Sequence, residues 1–207
     1  MKSNQRRSQI LNAAKIVFAR KGFHATNVSN IVQEAGIARG TFYLYFTGKR
    51  AVFEALLDEF FPMLVSKVTA VSQDQGIKEI WAQLRRNTKG ILKVFLDNPE
   101  LAQLVLNEAV GLDKGFDDKL MEFYHKLIVY IKESLEVGME MDLVRPNINP
   151  FVMATAILGA IKEIIYDFMH IDFEGVDLEV LVDNILSFTL QGVFRSRIIA
   201  NICKENY

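Results

Sequence analysis

An all-α chain is predicted by three observations. Apolar residues recur at three- and four-residue spacings, β-branched alternation is scarce, and four prolines among 207 residues leave long stretches free to be helical. Half of the residues are hydrophobic, enough to bury a core, and the length allows one large domain or two small ones. A single cysteine, Cys203, leaves no partner for an internal disulfide and excludes a cysteine-rich zinc site. The polar, basic start is unlike a signal peptide, so a cytoplasmic location is expected. The longest strongly apolar run, residues 151–161, falls short of the roughly 20 residues a bilayer span requires, and no membrane partner is expected.

The near-neutral total of −1 conceals a split. Residues 1–50 carry nine Lys/Arg against one acid, Glu34, a net of +8; the remainder carries 15 basic and 24 acidic residues, a net of −9. A basic first quarter on an acidic body points to a polyanionic partner at one end.

The first helix is predicted over about residues 6–21, with Ile10, Leu11, Ala14, Val17 and Phe18 on its buried face. Lys2, Arg6 and Arg7 gather at its start, where cations oppose the helix dipole, a conflict that a nearby phosphate would resolve. Gly22 suits the left-handed position after the helix. Thr26 or Asn27 can cap a second helix that buries Val28, Ile31, Val32 and Ala35, and Gly36 closes it. A third begins within two or three residues, the spacing of a helix-turn-helix. In that third segment, residues 37–46, Ile37, Phe42 and Phe46 can anchor one side. Arg39, Thr41, Tyr43 and Tyr45 are then left outside, a set suited to guanine edges and phosphates in a major groove.

These residues carry a resemblance. Phe18-x-x-Lys21-Gly22-Phe23, then Thr26-x-Val28-x-x-Ile31, then Ala35-Gly36-Ile37-x-x-Gly40-Thr41-Phe42-Tyr43-x-Tyr45-Phe46-x-x-Lys49 resemble the TetR family of bacterial transcriptional repressors over roughly the first fifty residues. One departure is Ala38, where the family often places a Ser or Thr that caps the recognition helix. The resemblance implies a three-helix DNA-binding domain over residues 1–47 and a ligand-binding and dimerisation domain over residues 48–207, about nine helices in all. Carried over residue by residue, it implies base contact by Arg39, phosphate contacts by Thr41, Tyr43 and Tyr45, a thymine methyl for Leu44, and close backbone approach at Gly40. Thr26 and Lys49 are expected to grip flanking phosphates.

A long connecting helix is implied from about Gly48, and Val52, Phe53, Leu56, Leu57 and Phe60 repeat accordingly. Pro62 is expected to kink or interrupt it, with Val65, Val68 and Val71 marking its resumption. Five more helices are predicted over about residues 77–96, 99–112, 114–141, 151–170 and 178–202. The last two are apolar nearly all round, and the resemblance assigns them to a homodimer interface that includes Ala156, Gly159, Ala160, Glu163, Phe188 and Gly192. The middle helices are implied to enclose a cavity for a small, largely apolar or amphipathic effector. Its candidate walls are Trp81, Phe95, Phe123, Tyr124, Tyr166 and Met169, with Arg85, Asn107, Glu108 and His125 as polar handles.

Two other readings explain less of the sequence. A ligand-independent architectural DNA-binding protein would leave the large acidic body without a role. A helical metalloenzyme would use Glu163, Asp167 and His170, spaced i, i+4 and i+7, but such spacing is common by chance. No phosphate-binding glycine loop, nucleophile elbow or zinc-protease motif is present, so neither catalysis nor a cofactor is expected. The reading is therefore a dimeric, effector-released repressor of a palindromic operator.

Overall fold

The computed structural model describes residues 2–108, 114–170 and 177–194. Among them the elements are α1 (Lys2–Ala25), α2 (Val28–Ala35), α3 (Arg39–Tyr43), α4 (Lys49–Val65), α5 (Ile77–Asp97), α6 (Pro99–Gln103), a π-helical turn (Leu104–Glu108), α7 (Lys114–Glu140), α8 (Pro150–His170) and α9 (Leu178–Val193). No strand occurs among the described residues; Val144 and Phe194 form an isolated antiparallel bridge. The all-α prediction holds. No helix among the described residues is long and apolar enough to cross a membrane.

By contacts the chain divides into two compact units, Met1–Met63 with Val94–Met121, and Leu64–Lys93 with Glu122–Tyr207. In the first, the predicted stripe Ile10, Leu11, Ala14, Val17 and Phe18 is buried, as are Val52, Phe53, Leu56, Leu57 and Phe60 of α4. Phe53 sits edge-on to both Phe18 (5.6 Å between centroids) and Phe23 (5.0 Å), so three aromatic rings join α1 to α4. Phe95 packs edge-on against Phe60 at 5.4 Å, and α6 and the π-helical turn both contact α1.

Local chemistry sets the helix ends. Gly22 takes φ 76°, ψ 161°, a conformation open to glycine alone, and breaks α1 shortly before its end. Asn27 and Asn30 cap α2 reciprocally, each side-chain oxygen accepting the other's backbone N–H at 3.0 and 3.1 Å. Gly36 is left-handed (φ 61°), as expected, and its N–H returns to the last turn of α2. Asn149 Oδ1 accepts from the N–H groups of Phe151 and Val152 and so caps α8.

Four expected boundaries are corrected. α1 starts at Lys2 rather than near Arg6, so Arg7 stands within the helix, where it pairs with Glu59 at 2.8 Å. α4 runs through Pro62 but ends at Val65, without resuming at Val68 or Val71. Side-chain amides of α5 replace the helical bonds there: Gln83 donates to Thr69 O and Ala70 O, and Asn87 donates to Thr69 O while accepting from Thr69 N–H. The helix predicted over 99–112 changes to π geometry at Leu104, and its remainder, residues 109–112, lies outside the described residues. α9 ends at Val193 rather than Ile202, because Phe194 is extended and pairs with Val144 while Arg145 N–H takes Val193 O at 2.9 Å. Residues 195–207, including Cys203, lie outside the described residues.

Candidate nucleic-acid interface

The first three helices present one short helix to the outside. Phe42 and Phe46 are buried in the core of the first unit, and Gln9 of α1 donates its amide to Ala35 O at 2.7 Å, tying α1 to the end of α2. α3 spans five residues, shorter than the ten-residue segment anticipated. Its N-cap, Ala38, makes no side-chain cap hydrogen bond, as its methyl group requires; Ala38 O accepts from Thr41 N–H and Phe42 N–H instead.

With Phe42 inward, Arg39, Gly40, Tyr43 and Leu44 are exposed, and Thr41 and Tyr45 are half-buried. Leu44 is 83 % exposed, a large apolar side chain with nothing of this chain to pack on. The Arg39 guanidinium lies over the Tyr43 ring, 5.9 Å from its centroid, with Nη2 3.5 Å from the phenol oxygen. Arg39 thus lies beside the Tyr43 ring with one N–H directed at the phenol oxygen, which leaves its other donors to solvent.

Thr26 and Lys49, the two expected flanking phosphate contacts, bond within the chain. Thr26 is 2 % exposed and its hydroxyl donates to Gly22 O at 2.7 Å, so it closes the α1–α2 junction. Lys49 points inward, its ammonium donating to Phe23 O, His24 O and Thr26 O at 2.7, 3.0 and 2.7 Å. Arg7 is a further residue whose role sequence spacing did not reveal. It pairs with Glu59 of α4 and stacks over Phe46 at 5.5 Å. The Asn27–Asn30 box was detectable, since a reciprocal side chain three residues after the cap is its signature.

The residues proposed from sequence for an effector divide between the units. Phe95 belongs to the first; Trp81, Arg85, Phe123, Tyr124, His125 and Tyr166 belong to the second. Arg85 pairs with Asp183 at 2.7 Å and with Glu179, which also meets Lys89, in a network between α5 and α9. Asp183 chiefly, and Glu179 less, raise the Arg85 pKa against an opposing effect of burial. His125 is exposed and Tyr166 is 37 % exposed. Phe123 is buried and Trp81 half-buried. Tyr124 is half-buried beneath the Lys162 ammonium, 5.8 Å from its ring centroid, and burial pushes its phenol above the ordinary value. The side chains of Asn107, Glu108 and Met169, and of His170, lie outside the described residues.

On α8, Val152, Ala156, Gly159, Glu163 and Tyr166 are all exposed at alternating four- and three-residue steps, and Ala160 is half-buried. A side chain added at Gly159 would meet nothing of this chain within 4 Å. On α9, Phe188 is 70 % exposed and Gly192 half-buried, while Val182, Ile185, Leu186, Thr189, Leu190 and Val193 are buried.

A capped helix, a left-handed glycine turn and a short outward helix bearing arginine and tyrosine, on a strongly basic segment, define a helix-turn-helix DNA-binding protein. Residues 10–56 match the family described as bacterial regulatory proteins, tetR family. Among relatives, it is 27 % identical over 171 residues to YdgC of Bacillus subtilis (strain 168), an uncharacterized HTH-type transcriptional regulator, covering 81 % of this chain and 83 % of that one. Among solved structures it is similar to NalD, the secondary repressor of the MexAB-OprM multidrug efflux pump in Pseudomonas aeruginosa. That likeness has a TM-score of 0.74 and 18 % identity, covering 94 % of this chain and 99 % of that one. It is also similar to the transcriptional regulator FadR of Bacillus subtilis in complex with stearoyl-CoA, with a TM-score of 0.70 and 22 % identity over 89 % and 98 % of the two chains.

Proposed function

We propose that this regulator is a repressor that binds a palindromic operator as a homodimer and is released by a small apolar or amphipathic effector. The observation that carries the DNA-binding part is the outer face of α3, where Arg39, Tyr43 and Leu44 stand exposed while Phe42 and Phe46 hold the helix from beneath. Arg39 forks onto a guanine in each half-site, and Leu44 meets a thymine methyl. Thr41, Tyr43 and Tyr45 set the register through phosphates, with Gly40 admitting the backbone close to the duplex. Residues 1–47 form the DNA-binding domain and residues 48–207 serve effector binding and dimerisation.

Dimerisation is supported by the exposed stripe on α8 and by Phe188 on α9, apolar surface of the kind that marks an interface. Alternating four- and three-residue steps suit helix-to-helix packing, and small residues at 156 and 159 permit close approach. Two-fold symmetry in the protein matches two-fold symmetry in an operator. The complex of FadR with stearoyl-CoA and the aromatic content around Tyr124 support an effector with a long apolar part.

The experiment is selection of duplexes from a random-sequence pool, followed by sequencing. The expected result is one palindromic motif whose half-sites are about 34–36 Å or a multiple of that apart. Recovery of unrelated sequences would defeat the operator reading. A melting screen of fatty acyl and aromatic compounds tests the sensor half, because a ligand of the native state raises its melting temperature.

A further inference from the structure

Lys49 opens α4, and its ammonium is surrounded by the chain itself. Phe23 O and Thr26 O lie 2.7 Å from Nζ, His24 O lies at 3.0 Å, and the Phe23 ring centroid lies at 4.6 Å. An ammonium has three protons, and three carbonyls take all of them. These acceptors belong to the residues after the Gly22 break and the junction before α2, and Phe23 O also accepts from Thr26 N–H at 3.3 Å. Thr26 reinforces the junction through its bond to Gly22 O. A phosphate oxygen could gain Lys49 only if the junction gave up at least one of its bonds.

We propose that Lys49 is a positioning residue for DNA recognition: it locks the first turn of α4 onto the α1–α2 junction, fixing how α2 and α3 are presented, and does not contact DNA. The proposal rests on the DNA-binding reading above. Arginine separates the two roles. It keeps the charge, but its planar fork directs donors outward from several nitrogens and cannot aim three bonds from one atom at converging carbonyls.

The unmodified chain, Lys49→Arg and Lys49→Met are titrated against the selected duplex and against an unrelated duplex of equal length, across a salt series. Melting is recorded for each. Both variants are expected to lose roughly tenfold to a hundredfold on the selected duplex at every salt concentration. Affinity for the unrelated duplex and the salt slope stay as in the unmodified chain. A phosphate contact gives another pattern: Lys49→Met lowers the slope by about 1 and weakens both duplexes alike, and Lys49→Arg restores both. That pattern overturns the proposal, as does a lower melting temperature with operator affinity unchanged, which would make the cage a stabilising contact alone. Should the variants not fold, the Lys49 ammonium resonance of the unmodified chain decides. It keeps its free-state shift on the duplex if the cage persists, and its displacement counts against the proposal. An unmodified chain that selects no duplex defeats the DNA-binding reading, a failure distinct from one confined to the variants.

Discussion

The contact of Arg39 with Tyr43 makes a quantitative prediction about DNA binding. The guanidinium carbon lies 5.9 Å from the ring centroid, and Tyr43 is 48 % exposed, so the cation–π contact belongs to the weak, hydrated class worth about 0.5–1 kcal/mol. A guanidinium carries five N–H donors, so one directed at the Tyr43 oxygen leaves others for a guanine edge. Arg39→Ala should then cost about 1–3 kcal/mol on the selected duplex, with lost preference at one position in each half-site. Tyr43→Ala should cost about 1 kcal/mol for its own contact, plus whatever orientation it imparts to Arg39. The double variant should lose less than the sum by about 0.5–1 kcal/mol, a factor of about two to five in affinity. Fluorescence anisotropy of the four proteins on a labelled duplex closes the cycle. Strict additivity would show that Tyr43 does not orient Arg39 in the complex. An equal loss on selected and unrelated duplexes would refute base reading by Arg39 altogether.

Other perturbations test other parts of the molecule. Phe188→Arg places a cation on the expected dimer face and should shift the chain to monomer in sedimentation at micromolar concentration; an unmodified chain that already sediments as a monomer would refute the interface. Burial raises the Tyr124 phenol above its ordinary value, so the folded state holds that proton longer than the unfolded chain. The associated stability is fully present below the unfolded value of about 10 and is lost as pH rises through the folded one. Tyr124→Phe should therefore flatten part of the alkaline decline in melting temperature, whereas an unchanged decline would place the cause elsewhere. Phe53→Ala should destabilise the fold by about 3–5 kcal/mol in chemical denaturation, since a fully buried ring with two edge-on partners is removed.

What the sequence revealed depended on how local the determinants are. Helical periodicity is local, so the stripes of α1 and α4 and the turn at Gly36 were readable from neighbours a few residues away. The outward set on α3 followed, because burying Phe42 and Phe46 leaves Arg39, Tyr43 and Leu44 exposed by geometry alone. Long-range partners were not readable. Arg85 resembled a pocket handle until Asp183 and Glu179, over ninety residues later, were seen to hold it. Lys49 resembled a phosphate ligand because its charge is visible in sequence and the three carbonyls that bind it are not. The end of α4 was obscured for a similar reason. Val68 and Val71 continue the apolar spacing, but the amides of Gln83 and Asn87 compete for the backbone there.

The pairing of α1 with α4 has a mechanical consequence. Lys49 fastens one end of α4 to the end of α1, and Glu59 fastens α4 to Arg7 near the start of α1. Ten residues separate these points, about 15 Å of helix. A single fastening would act as a pivot, about which α4 could swing without carrying α1. Two fastenings so far apart resist torque, and the rings of Phe18, Phe23 and Phe53 fill the space between them. Joined at two points, α4 shares a twist with the α1 end of the first unit instead of turning about a single contact.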